Sequence, residues 1–333
     1  MTDRFDQYES DLEQQPSFDE ALEELKTETD SMPSPALIAG LSDLSQAQLA
    51  QLEPVWEGLS ADYQRLLTQM LVDAATSNFR LNFRPIGFAT LRASQPAVRQ
   101  AAIELLAEDE STGLLENLIH LLQTDPVPEV RAEAARALGR FVLLGETGDL
   151  DDEQAERIQS LLIATINNPQ EDLQVKRLAI EAIANCTRKE VPAIIHNAYQ
   201  HADPNMRLSA VTAMGHTCDD RWENDILDQL TSFDDEMRLA AIRSAGELQL
   251  TSATQAIIKN IEQGDREEQE IAIWSLGEIG GKEALRVLES LLEGAENADD
   301  PDLIDLIDEA LANASLVNGD FMLVDFSDLD IDD

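Results

Sequence analysis

Apolar residues in the middle of this chain recur at helical spacing, and the same spacing returns about every 31 residues. Residues 204–217 read PNMRLSAVTAMGHT, and residues 235–248 read DEMRLAAIRSAGEL. With the arginine of Met-Arg-Leu as position zero, matching windows are centred on Arg99, Arg131, Lys176, Arg207, Arg238 and Gln269. The intervals are 32, 45, 31, 31 and 31 residues. Position +3 is alanine six times: Ala102, Ala134, Ala179, Ala210, Ala241 and Ala272. Position +4 is mostly isoleucine, +7 is mostly large and apolar, and +8 is glycine or alanine throughout. Offsets of +3, +4, +7 and +8 form one stripe of an α-helix. Small residues at +3 and +8 let a neighbouring helix approach closely.

Between the windows lie further amphipathic stretches at 111–124, 152–167, 188–200, 220–232, 251–263 and 281–294. Asp, Pro or Asn follows each of them, as helix-ending and helix-capping residues do. The unit is therefore helix, turn, helix. One such pair cannot bury its apolar stripe alone, so the pairs must stack. The long 45-residue interval holds an insertion, placed at 145–152. Asp172, Asp203 and Asp234 each precede a basic zero residue (Lys176, Arg207, Arg238) by four positions. They are read as a structural ladder, each aspartate capping a helix and meeting the cation one turn on.

The windows match Pro-x-(Val/Met)-Arg-x-x-Ala or close variants of it, and in this they resemble HEAT repeats. The 31-residue form is similar to the short, phycobilisome-lyase-type HEAT-like repeat. The resemblance covers about residues 79–314. It implies an all-α fold, a right-handed α-solenoid of about seven helix pairs behind an N-terminal helical cap at 36–78. Gln269 departs from the pattern, and the last pair, 299–315, has lost the basic residue and reads as an acidic cap.

The flanks differ in character. Residues 1–35 hold 11 acids against 2 bases, with one amphipathic patch at 18–26, and are expected to be mostly disordered up to the linker-like MPSP at 32–35. Trp56 is expected inside the N-terminal cap. Phe79, Phe83 and Phe88 are expected to close the end of the stack, with Arg80 and Arg84 either packed there or binding. The tail at 315–333 alternates acids with Phe321, Leu323, Phe326 and Leu329, a recognition-segment composition. It would dock on a partner or on its own solenoid, or stay inert.

Composition narrows the function. The chain has 333 residues and a net charge of −43, so it repels nucleic acid and anionic lipid at long range and attracts basic partners. No apolar run approaches the roughly 20 residues of a membrane span. The N-terminus lacks the apolar core of a signal peptide, and the two cysteines make no disulfide framework, so a cytoplasmic setting is expected. No phosphate-loop, dinucleotide, zinc-hydrolase or nucleophile-elbow motif occurs. HEAT-like deoxyhypusine hydroxylases hold iron through repeated His-Glu pairs, but His120, His196, His201 and His216 are followed by Leu, Asn, Ala and Thr. No catalytic residue, cofactor or metal is expected. Cys186 and Cys218 are read as partly buried structural thiols.

In HEAT-like solenoids one helix layer lines a concave face. On the windows, positions +1, +5 and +9 form one outward stripe. Its arginines and tryptophan, Arg136, Arg140, Arg177, Arg243 and Trp274, are of the types most enriched at interface hot spots. The expected function is a non-enzymatic scaffold or adaptor binding a protein or peptide, of basic character, on that face; the plainer alternative is an ordinary solvated surface. The resemblance adds a second possibility, a bilin-lyase-type or chaperone-like factor acting on a chromophore-bearing protein.

Overall fold

A computed structural model describes residues 17–27 and 31–317. Among these residues there are eighteen α-helices and no strand. The chain divides into two compact units, Met1–Ala182 and Ile183–Asp333.

The first unit holds α1 (Phe18–Thr27), α2 (Pro35–Gly40), α3 (Gln46–Gly58), α4 (Ala61–Ser77), α5 (Arg84–Thr90), α6 (Pro96–Leu105), α7 (Thr112–Thr124), α8 (Pro128–Thr147), α9 (Asp152–Asn167) and most of α10 (Leu173–Ile183). The second holds α11 (Val191–Tyr199), α12 (Pro204–His216), α13 (Glu223–Gln229), α14 (Asp235–Glu247), α15 (Thr254–Gln263), α16 (Arg266–Ile279), α17 (Gly281–Ala298) and α18 (Pro301–Val317). Each repeat window is one helix: α6, α8, α10, α12, α14 and α16. The intervening stretches supply α7, α9, α11, α13, α15 and α17. The fold is thus the all-α solenoid type, built of stacked antiparallel pairs within each unit.

The small-residue code acts as the spacing demands. All six +3 alanines have no solvent exposure. The window helices stack directly on one another, α6 on α8 in the first unit and α12, α14, α16 and α18 in series in the second. At the +8 glycines the backbones nearly touch. A Cβ on Gly215 would lie 2.9 Å from Cα of Ser244, one on Gly246 2.9 Å from Cα of Ser275, and one on Gly277 2.8 Å from Cα of Ala310. The approach also makes hydrogen bonds between neighbours. Ser244 Oγ donates to the Val211 carbonyl and Ser275 Oγ to the Ile242 carbonyl, each at 2.9 Å. Both hydroxyls are buried and would be costly unpaired.

Helix starts follow side-chain capping. Asp203, Asp234 and Asp265 accept from the backbone N–H groups of Met206, Met237 and Glu268, and Ser111 accepts from Leu114.

Five expectations change. The patch at 18–26 is helix rather than disordered chain. Phe18, Ala21, Leu22 and Leu25, at helical spacing, are buried with Leu37, Leu41, Trp56 and Tyr63 in one core. MPSP starts a helix rather than linking domains: Ser34 caps α2, and its N–H and Oγ both donate to Glu24 of α1, at 2.9 and 2.6 Å. The 145–152 insertion lengthens α8 to Thr147, where Gly148 ends it in the left-handed region. The C-terminal acidic pair is the single helix α18, packed on α16 and α17. Of the three phenylalanines expected to close the stack, Phe83 is buried and Phe88 half-buried, but Phe79 is almost fully exposed.

Candidate protein-binding face

Of the eighteen +1, +5 and +9 positions, only Ala132 is buried. The stripe is therefore solvent-facing in both units, and its side chains are set by one helical face of each window.

In the first unit, Arg136 and Arg140 edge a cavity of about 360 Å³ between α6, α7 and α8. Its floor is apolar, with Ile103, Leu106, Leu114, Leu118 and Phe141. The two guanidiniums are already met by acids. Arg136 Nε donates to both carboxylate oxygens of Glu133 at 3.1 Å. This bond, with the charges of Glu133, Glu104 and Glu181, raises the Arg136 pKa above the usual guanidinium range. Arg140 lies 3.3 Å from Glu110 and 3.5 Å from Glu108. Arg177, on α10, is half-buried. Beside this cluster Arg84 pairs with Asp109 and stacks 4.9 Å above the Phe88 ring. Burial alone would push the Asp109 carboxyl up, but hydrogen bonds from Ser111 and Arg84 bring it below the usual range.

In the second unit, the Arg243 guanidinium lies 5.3 Å from the centroid of the Trp274 ring, across the α14–α16 contact. One turn beyond Arg243 is Glu247. Its Oε2 is buried without a hydrogen-bond partner, 4.0 Å from Nε2 of His216 on α12. Burial pushes the Glu247 carboxyl up, and the charges of His216 and Arg243 pull it part of the way back. Further along the same column Glu278 accepts from Asn313 at 3.2 Å, and Glu270 pairs with Arg266.

The zero-position cations do not pair with the aspartates four residues before them. Arg99, Arg131, Arg207 and Arg238 reach back to the preceding loop, and Arg99, Arg131 and Arg238 also reach forward to the next repeat. Arg99 donates to both oxygens of Asp125 at 2.7 Å and to the Ala93 carbonyl at 2.8 Å. Arg131 donates to Glu171 and to the Asp125 carbonyl. Arg207 donates to the His201 and Ala202 carbonyls. Arg238 donates to Glu268 and the Ser232 carbonyl. A capping aspartate directs its oxygens at N–H groups around the helix start, as Asp172 does toward Gln174, which leaves the cation to find other acceptors. Three of the arginines, Arg99, Arg131 and Arg238, therefore join neighbouring repeats, and their acids Asp125, Glu171 and Glu268 escaped the sequence reading. The Asp265-x-x-Glu268 spacing was the available signal.

The tail residues Phe321, Leu323, Phe326 and Leu329 lie outside the described residues. Cys186 is buried, whereas Cys218 is exposed at a positive φ of 51°. Among the described residues no three His, Cys, Asp or Glu side chains are grouped to hold a metal ion, and no helix is long and apolar enough to cross a membrane.

Residues 88–162 and 223–312 match the family model of HEAT repeats. No curated protein matches the chain in sequence. Among the solved structures similar to this chain are these three. Escherichia coli YibA is 15% identical over 68% of this chain and 92% of that one, with a TM-score of 0.40. The complex of CpcE and CpcF of phycocyanin lyase from Nostoc sp. is 19% identical over 69% and 94%, with a TM-score of 0.43. Importin beta is 11% identical over 89% and 44%, with a TM-score of 0.41. Values this low transfer neither a partner nor an activity.

Proposed function

We propose that this chain, built of HEAT repeats, is a non-enzymatic scaffold whose window-helix stripe binds a basic segment of another protein. The observation that carries this reading is the pairing of the stripe's own arginines. Arg136 is paired with Glu133 and Arg140 with Glu108 and Glu110, and in the second unit the stripe carries one arginine, Arg243, against three glutamates, Glu247, Glu270 and Glu278. The stripe therefore offers acceptors more than donors, and the net charge of −43 extends that field over the molecule. Such a field speeds the encounter with cationic partners and repels phosphate backbones. Half-exposed Trp274 and the apolar floor below Arg136 and Arg140 supply contact area that charge alone does not.

The test compares proteins retained from native lysate by the wild-type chain and by a stripe variant, Arg136→Ala/Arg140→Ala/Arg243→Ala/Trp274→Ala. A stoichiometric partner whose retention changes in the variant supports the reading. A partner retained equally by both places binding elsewhere and sinks it. The lyase-type alternative makes a separate demand, namely visible pigment absorbance or a chromophore-bearing protein in the wild-type eluate.

A further inference from the structure

We infer that a trough between α3 and α5, in the first unit, is a docking slot for an amphipathic helix of another protein, one that carries cations along one edge of its apolar face and a carboxylate along the other. The cavity measures about 810 Å³, and no position of the window-helix stripe lines it. Its lining on α3 comes from one helical face. Leu49, Glu53 and Trp56 follow one another at four and three residues, with Ala50 and Glu57 beside them. From Gln46 to Glu57 that face runs for roughly 17 Å, three turns of helix. The opposite wall is shorter. α5 has seven residues against thirteen in α3, and it offers Ile86, Ala89 and Thr90 before the turn at 92–94 completes the wall. α5 is thus too short to cover its neighbour, and the space left has the length of a helix rather than of a side chain.

The floor accepts apolar groups. Leu52, Trp56 and Ile86 are buried there, and Ala50 and Ala89 are exposed above them. The polar side chains of the floor are already served within the chain. Gln64 Nε2 donates to the Trp56 carbonyl at 2.6 Å, and Thr90 Oγ1 donates to the Ile86 carbonyl at 2.8 Å. An apolar occupant leaves both bonds intact. A small ligand would be enclosed on most sides. Here Ala50, Glu53, Ala89 and Arg92 are all exposed, so the slot is open to a segment laid along it.

The rim fixes the charges of the occupant. Glu53 and Glu57 stand one turn apart on α3, and Arg92 stands on the other wall, after α5. All three are exposed and, among the described residues, make no ion pair. They differ in this from Arg136 and Arg140, which meet glutamates in the free chain. Pro54 adds an acceptor to the acidic wall. It lies inside α3 and has no N–H, so the Ala50 carbonyl lacks the helical bond that a residue four positions on would give. The α3 wall thus calls for lysine or arginine, and the α5 wall for aspartate or glutamate. On a helix laid face down, these edges flank apolar anchors spaced i, i+4, i+7.

The test uses the full chain and an amidated, rhodamine-labelled helical peptide, AAALKAELKALAAELA, read by anisotropy at about 150 mM salt. The peptide sequence has no net charge, so general attraction to an acidic protein does not draw it. A peptide of the same composition, with its leucines scattered around the helix, binds roughly tenfold more weakly. Ala50→Trp fills the slot and weakens binding by about tenfold. Glu53→Lys/Glu57→Lys weakens it roughly three- to tenfold, as two exposed ion pairs turned to repulsions would. Glu53→Lys/Glu57→Lys/Arg92→Glu restores most of the affinity, because the peptide can turn end for end and exchange its edges. The variant Arg136→Ala/Arg140→Ala/Arg243→Ala/Trp274→Ala binds the peptide as wild type does, which separates the slot from the stripe. Unchanged amide exchange in α4 shows that each variant keeps its fold. Absence of binding by the amphipathic peptide, equal binding of the two peptides, or no effect of Ala50→Trp overturns the slot. A triple variant no better than the double overturns the charged edges of the occupant, and with them the proposal.

Discussion

Arg238 of α14 forks onto Glu268 at the start of α16, with Nε to Oε1 at 2.7 Å and Nη2 to Oε2 at 2.9 Å. Glu268 is buried, and the same guanidinium also holds Asp235 and the Ser232 carbonyl. Donating to Glu268 first, then to Asp235, raises the Arg238 pKa above the usual guanidinium range. Removing one partner leaves the other as an uncompensated buried charge. Arg238→Ala should therefore cost about 3 kcal/mol. Replacing both by apolar side chains of similar volume, Arg238→Met/Glu268→Leu, should recover most of that loss. Urea unfolding followed by amide exchange in α14 and α16 checks both results.

Glycine has two opposite uses here. Gly246→Ala would drive a Cβ to 2.9 Å from Cα, Cβ and Oγ of Ser275, and overpacking of this kind costs roughly 1–3 kcal/mol. Gly294, on α17, has nothing within 4 Å. Gly294→Ala should instead stabilise by about 0.5–1 kcal/mol through helix propensity. Thermal unfolding of the two single variants should shift in opposite directions.

The first helix is part of the N-terminal core. Leu25 is 1% exposed, so Leu25→Ala should cost roughly 2–5 kcal/mol and release α1 to limited proteolysis. Cleavage at the same rate in both proteins would show that α1 does not hold the core.

Glu247 should leave a signature in the pH dependence of stability. Burial raises its carboxyl above the usual 4.5, so the folded chain binds more protons than the unfolded one just above that pH. Stability then falls as pH rises through the window between the unfolded and the raised folded value, and stays lower at neutrality. Glu247→Gln removes that loss, so the variant's advantage should grow as pH rises from 4 toward 7. His216 and Arg243, the charges that act on Glu247, are present in both proteins. A constant difference across the range would argue against a raised carboxyl.

The repeat was legible because each code position has one physical task. Alanine at +3 and glycine or alanine at +8 can only mean close helix contact, and the structure uses them so. Phe79 was misread because a ring in an aromatic segment looks like core until its backbone is placed outside the stack. The cation ladder was legible in its arginines but not in its acceptors. Asp125, Glu171 and Glu268 lie 26, 40 and 30 residues on, beyond any helical spacing. The stripe was legible as a face, since helical offsets fix which residues share it. Its electrostatics were legible only in part: Glu133 lies three residues before Arg136 on the same helix, whereas Glu110 lies 30 residues from Arg140 and reaches it through folding.

The +8 contacts carry a mechanical consequence. In the second unit each window helix is keyed to the next by a glycine against a backbone, at Gly215, Gly246 and Gly277. A key of this kind resists sliding, because a displaced helix would bring a bulky side chain onto the glycine, but it resists peeling only at one spot. Pulled by its C-terminal end, this unit should yield as a series of small force peaks, one helix pair after another, rather than in a single rupture.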